Sequence, residues 1–254
     1  MSTINQFRKS KLLRIKSSDK NNDNDSNSDF VVSFNNIQNL QNVRAISIKS
    51  ISFPNLVYNI KSQYTLAYTD SVAGAGTVVI PAGQRTMAEL LTLIKTGVEV
   101  NIASRTLTYT YDDYLKKVSF TVSSGNITFN TSTDTAKYLG ITSNLACAPA
   151  GTAQDFPDLG GEKSVFLHSS ALSDNKYINS EKGNENIICE VPITADFGFL
   201  NLYESNSSDT IDLILFPHKK NIHSVDLQLK DEDGEILDLG KQAEIRLVLK
   251  IFYN

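Results

Sequence analysis

The chain has 254 residues, of which 41% are hydrophobic and 20% charged, and its net charge is −4. That length suits one large all-β domain or two ordinary ones, and the composition supplies a sizeable core, which excludes global disorder. No apolar run approaches the roughly 18 residues of a membrane-spanning helix, the opening MSTINQFRKSKLLRIKSSDK holds no signal-like apolar stretch, and two cysteines cannot build a disulfide framework.

Charge is unevenly placed. Residues 1–20 carry Arg8, Lys9, Lys11, Arg14, Lys16 and Lys20 against Asp19, a local charge of +5, which leaves −9 for the rest. An acidic body with a basic start argues against a whole-surface nucleic-acid binder and permits a tail that touches nucleic acid or an acidic neighbour. Residues 17–29 read SSDKNNDNDSNSD; all but Lys20 are Ser, Asn or Asp, so the stretch has nothing apolar to bury and reads as a flexible linker. Residues 1–29 are therefore expected to be a disordered basic and polar arm, free or ordering on assembly, with the folded part starting at Phe30.

Strand signals follow. Residues 30–34 (FVVSF) are short and apolar. Residues 43–53 (VRAISIKSISF) alternate with one slip of parity, the pattern of a long strand with a bulge, and Pro54-Asn55 ends it. Residues 77–80 (TVVI) stop at Pro81-Ala-Gly83. Thr86-Met-Ala-Glu89 has the capping-box spacing, and Met87, Leu90, Leu91, Ile94 and Val98 then mark one apolar helix face. A hairpin is predicted over 106–111 and 117–122 with its turn at Asp112-Asp113, then a short helix over 134–139 stopped by Gly140. Residues 143–161, rich in Ala, Gly, Pro and Ser, read as a connector. Strands are predicted again over 164–168, 186–192, 210–216 and 224–229, with a turn at Asp231-Glu-Asp-Gly234, a continuation over 235–239, and a final strand over 243–253 whose Ile245, Leu247, Leu249 and Ile251 oppose Arg246, Val248 and Lys250. Many short strands with a single long helix indicate an all-β chain: a single jelly-roll β-sandwich over 30–70 and 160–254, with an inserted small α+β subdomain and connector over 71–159.

The search for chemistry returns little. His168, His218 and His223 match no metal-ligand spacing, and neither Cys147 nor Cys189 sits in a C-x-x-C pair. Gly74-Ala-Gly76 lacks the third glycine, position 79 being Val, and the following helix of a dinucleotide fingerprint, so it reads as a hairpin turn. Residues 231–234 resemble half of a calcium loop, but Leu229 and Gly240 stand where an EF-hand needs acids; a turn rich in acids, at most a weak cation binder, is the better reading. Tyr64, Tyr68, Tyr109, Tyr111 and Tyr114 could stack on sugars if exposed, although faces and edges of strands are the ordinary place for such residues. No catalytic, cofactor-binding or metal residue is assigned, and neither an enzyme nor a cofactor is expected.

In their order, several pieces resemble the penton (minor capsid) proteins of virophages and polinton-like viruses. These are SISFPNLVYNI (50–60), taken as the turn after a first jelly-roll strand, VIPAGQRTMAELL (79–91), KYLGI (137–141), FLHSSAL (166–172), VPIT (191–194), IHSVDLQLKDEDGEILDL (222–239) and IRLVLKI (245–251). The resemblance implies a jelly roll repeated as a homopentamer at the vertices of an icosahedral DNA virion. Its implied partners are itself and the major capsid protein, with the basic arm touching nucleic acid or the capsid interior and nothing crossing a membrane. The rival expectation is a jelly-roll binding module for carbohydrate or receptor attachment on a viral surface.

Overall fold

In a computed structural model of the chain, the residues described are 9–34, 40–102, 104–131, 135–173, 177–179, 183–205, 213–240 and 243–253. The chain divides into two compact units, residues 1–57 with 162–254, and residues 58–161. The first unit begins with β1 (Lys9–Lys16), β2 (Asp29–Ser33) and β3 (Val43–Pro54). The second holds β4 (Tyr64–Asp70), β5 (Gly74–Ile80), α1 (Met87–Glu99), β6 (Leu107–Asp112), β7 (Lys117–Val122), β8 (Ile127–Phe129), α2 (Thr135–Tyr138), β9 (Leu145–Cys147) and β10 (Ala150–Thr152). The first then resumes with β11 (Ser164–His168), β12 (Tyr177–Asn179), β13 (Gly183–Glu185), β14 (Ile187–Pro192), β15 (Leu200–Glu204), β16 (Leu213–Lys220), β17 (Ser224–Lys230) and β18 (Arg246–Tyr253).

The first unit is a jelly roll. One sheet runs β1-β18-β3, and β15 and β16 share the far edge of β3, β15 beside residues 50–54 and β16 beside residues 43–47. The other runs β14-β11-β17-β2. All these pairs are antiparallel, and the chain passes from one sheet to the other between β1, β2 and β3 and again at its end, the alternation that defines the roll. Period-two patterning builds the core. Ile46, Ile48, Ile51 and Phe53 of β3 and Leu247, Leu249 and Ile251 of β18 share one buried cluster with Phe30, Val32, Val165, Leu167, Val191, Val225, Leu227 and Leu229 of the other sheet. The parity slip in β3 is a bulge: Val248 pairs with Ser50 and Leu249 with Ile48, so Lys49 is the extra residue.

The second unit has its own core. Sheets β5-β4-β8-β9 and β10-β7-β6 contribute Leu66, Ile80, Phe120 and Phe129 to one cluster with Leu90, Leu91, Ile94 and Val98 of α1. The capping box forms: the Thr86 Oγ1 accepts from the Glu89 amide at 3.3 Å, and Glu89 Oε2 accepts from the Thr86 amide at 2.8 Å. Asn59, buried, accepts from the Arg85 amide and donates to the Arg85 and Leu159 carbonyls, which ties the unit's two ends together.

Several expectations are corrected. Residues 9–16 are not part of an arm: β1 pairs with β18 along all eight positions, with Ile15 buried and Leu13 packed against the core. Nor is the following polar stretch a loose linker. Ser17 exchanges hydrogen bonds with Ile245, Lys20 Nζ donates to the Asp25 carbonyl and Asn27, and Asn21 pairs with Val31 and Ser33 along β2. Side chains that bury no apolar surface here satisfy backbone groups instead. The long strand at 43–54 is therefore the third of the roll, and the turn after it leads into the second unit. β4 lies in that unit, so a boundary at 70/71 would cut the β4–β5 hairpin. The supposed connector holds β9 and β10. Residues 235–239 make a single bridge, Lys230 to Ile236, and bury Leu237 and Leu239 without forming a strand. Asp134 and residues 210–212 of two predicted elements lie outside the described residues; α2 begins at Thr135, and Gly140 after it has φ +71°.

Candidate functional site

The residues that could carry chemistry are dispersed. His168 is buried at the end of β11, whereas His218 on β16 and His223 before β17 are exposed. Cys147 is buried in the second unit and Cys189 in the first, and neither is in a disulfide. Burial pushes the Cys147 thiol up to about 11, against the lowering effect of the Gly151 amide, so it is not a ready nucleophile at neutral pH.

One group of three carboxylates occurs among the described residues. Oxygens of Glu162, Asp231 and Asp233 lie within 4.8 Å of one another. Two of them hold the turn after β17: Asp231 Oδ1 accepts from the Glu235 amide at 2.8 Å, and Glu162 Oε2 accepts from the Glu232 amide at 3.2 Å. The acidic turn read from the sequence is present as a turn.

Most polar side chains with many bonds hold loops. Asp226 on β17 accepts from Ser169 Oγ, from the Ser170 amide and hydroxyl, and from the Ala171 amide, all within 3.1 Å. Burial alone would raise its carboxyl, but these donors hold it below the ordinary carboxylate value. Asn201, fully buried on β15, accepts from the Thr194 amide and hydroxyl and the Ala195 amide, and donates to the Pro192 carbonyl. Asn55 holds the same connection through the Ala195 carbonyl and the Phe199 and Gly198 backbone. The sequence marks Asn55 only as part of the turn that ends β3, since its partner Ala195 is 140 residues away, and no local motif marks Asn201, whose partners are six to nine residues before it.

The tyrosines are mostly structural. Tyr64 packs on Tyr138 with ring centroids 5.5 Å apart, Tyr109 shares a 2.8 Å hydrogen bond with Thr92 of α1, and Tyr68 is 1% exposed. Tyr111 is half-buried near Lys116. Tyr114, at the β6–β7 turn, is 92% exposed.

The surface of the roll offers contact features instead. β1 is an edge strand with Lys9, Lys11, Arg14 and Lys16 all exposed, and a shallow groove of about 400 Å³ beside it is lined by Ser10, Lys11, Leu12, Lys49, Val248 and Lys250. On the opposite edge of the sheet, Phe199, Leu200 and Leu202 are 68%, 61% and 53% exposed. Three large apolar side chains thus stand exposed within four residues, Phe199 just before β15 and Leu200 and Leu202 on it.

No family model and no curated protein matches the sequence. Among solved structures the fold is similar to that of the mavirus penton protein, with a TM-score of 0.56 at 12% identity over 96% of this chain and 99% of that one. The chain thus has a penton-like, all-β jelly-roll fold, and the likeness extends over nearly the whole of both chains.

Proposed function

We propose that this protein is a structural capsid component that forms the pentameric vertex of an icosahedral DNA virus, binding copies of itself and the major capsid protein in the virion. The observation that carries the reading is the near end-to-end structural likeness to a penton protein, which takes in the inserted unit as well as the roll. The surface chemistry supports it. A fivefold ring needs heterologous contacts, in which one face meets a different face of the next copy. The roll has two dissimilar sheet edges, a basic β1 and an apolar β15. The basic residues of β1 suit an acidic neighbour or the nucleic acid beneath a shell. In this reading the work is binding rather than catalysis.

The test is location and stoichiometry. Particles carrying a tag on this protein should show the label at fivefold vertices by electron microscopy. The chain, alone or co-expressed with the major capsid protein, should give a species of five copies by mass photometry. Monomers in both preparations together with label spread over the facets would overturn the proposal.

A further inference from the structure

The two outer edges of one sheet of the roll match each other. Among the described residues β1 pairs with β18 alone and β15 with β3 alone, and every step along β1-β18-β3-β15 is antiparallel. The two edge strands therefore run in opposite directions. On β1, Leu13 and Ile15 turn to the core, which leaves Ser10, Leu12, Arg14 and Lys16 on the outer face. Leu12 is 64% exposed and lies opposite Lys250. With Val248 it gives the groove beside β1 a mostly apolar floor, and Lys11, Lys49 and Lys250 flank that floor. On β15, Asn201 is buried and Tyr203 packs against the same core, so Leu200, Leu202 and Glu204 share that outer face. Asp196, exposed, stands in the turn that enters the strand.

Charge follows the same division. β1 carries Lys9, Lys11, Arg14 and Lys16, all exposed, and no acid. The stretch from Asp196 to Glu204 carries two exposed acids and no Lys or Arg. No ion pair joins these six side chains to another described residue. An edge lined with lysines repels a like edge. The edge that suits it is apolar in the middle and acidic at both ends, and β15 has that pattern. Direction agrees as well. Rotation about an axis along the strands preserves their sense, so β1 of one copy meets β15 of the next antiparallel. With Leu12 against Leu200 and Leu202, Asp196 then falls toward Lys16, and Glu204 toward Lys9 and Lys11.

We propose that the β1 edge of one copy and the β15 edge of the next form the repeating contact of the ring. Leu200 and Leu202 lie over the apolar floor of Leu12 and Val248, and ion pairs close both ends. The inference rests on the vertex reading and names the partner of each edge. The contact is heterologous, as closure of a ring requires.

Four full-length proteins test it by mass photometry, each alone and with the major capsid protein. They are the wild type, Lys11→Glu with Lys16→Glu, Asp196→Lys with Glu204→Lys, and the chain with all four changes. Each reversed pair should raise the concentration of half-assembly about tenfold, because like charges then face each other at every interface. The chain with all four changes should return close to the wild-type value. All four positions are exposed, so the melting temperatures should stay near that of the wild type. Wild-type rings that survive either reversal, or reversals that the combined change does not rescue, would overturn this contact and leave the vertex reading standing. A wild type that stays monomeric in both preparations would overturn both. A Lys11→Glu, Lys16→Glu protein that assembles normally but loses nucleic acid retained by the wild type would place nucleic acid on β1 and overturn the contact.

Discussion

Asn201 has no exposed surface and makes four hydrogen bonds to the segment between β14 and β15. Asn201→Ala leaves two amides and a carbonyl without that partner, and we expect it to destabilise the roll by about 2–3 kcal/mol, read as a lowered urea midpoint at unchanged slope. An ion pair plays the corresponding part in the second unit. Arg105 donates to Asp70 at 2.5 Å, and Asp70 also accepts from the Val72 and Ala73 amides at 2.7 Å. Burial would raise the Asp70 carboxyl, but the Arg105 hydrogen bond and the two amides outweigh it and hold the value below the ordinary one. The ionised form is therefore favoured by folding. Its contribution is complete above the unfolded value of about 3.9 and is lost as pH falls through the lowered folded value. Asp70→Asn should cost about 3 kcal/mol at pH 7, because it leaves a largely buried guanidinium without its counter-charge. It should also flatten the decline of stability below about pH 4. A variant whose acid limb matches the wild type would show that another carboxylate controls it. The Asp70–Arg105 pair could not be read from the sequence, since the two are 35 residues apart and no local spacing marks them.

What was legible at the scale of elements was local. The α1 cap needs only Thr86 and Glu89, three residues apart, and the helix face needs only its own periodicity, so both follow from the sequence. Thr86→Ala should weaken the helix start by about 1 kcal/mol. The measurement is amide exchange over residues 87–90, which should quicken in the variant while β7 amides stay unchanged. β18 was legible for the same reason, its alternation being long and unbroken. β1 was not. As an edge strand it carries only Leu13 and Ile15 toward the core, its other side chains are basic or exposed, and the polar residues after it have linker composition. Edge strands carry charge to discourage further pairing, which erases the apolar signal by which a strand is recognised. Deleting residues 1–16 should therefore do more than remove a tail. It should strip β18 of one of its two partners, expose Ile15's site in the core, and reduce the soluble yield and melting temperature. A truncated protein that melts like the full chain would show β1 to be dispensable.

At the scale of the molecule, the contact region on β15 follows from the assembly proposal and tests it at a single surface. Phe199, Leu200 and Leu202 are exposed together, on a strand that pairs through β3 on one side and has no strand on the other among the described residues. Asn201 between them faces inward and holds the loop, so the apolar residues are presented on a rigid support. In a ring of five, every copy repeats the contact, and a change at one position is felt at five interfaces. Leu202→Asp places an unpaired charge where the next copy should pack. Because Leu202 is 53% exposed, the monomer should lose no more than about 0.5 kcal/mol of stability. The pentamer should shift to monomer at concentrations where the wild type is assembled, by mass photometry, and particles made with the variant should lack vertex density. Leu215→Asp, at an exposed position on β16 rather than β15, is the control and should assemble more nearly like the wild type. Equal assembly of Leu202→Asp and wild type would mean that the β15 edge faces something other than a second copy, and the ring would have to close through the β1 edge or through the inserted unit.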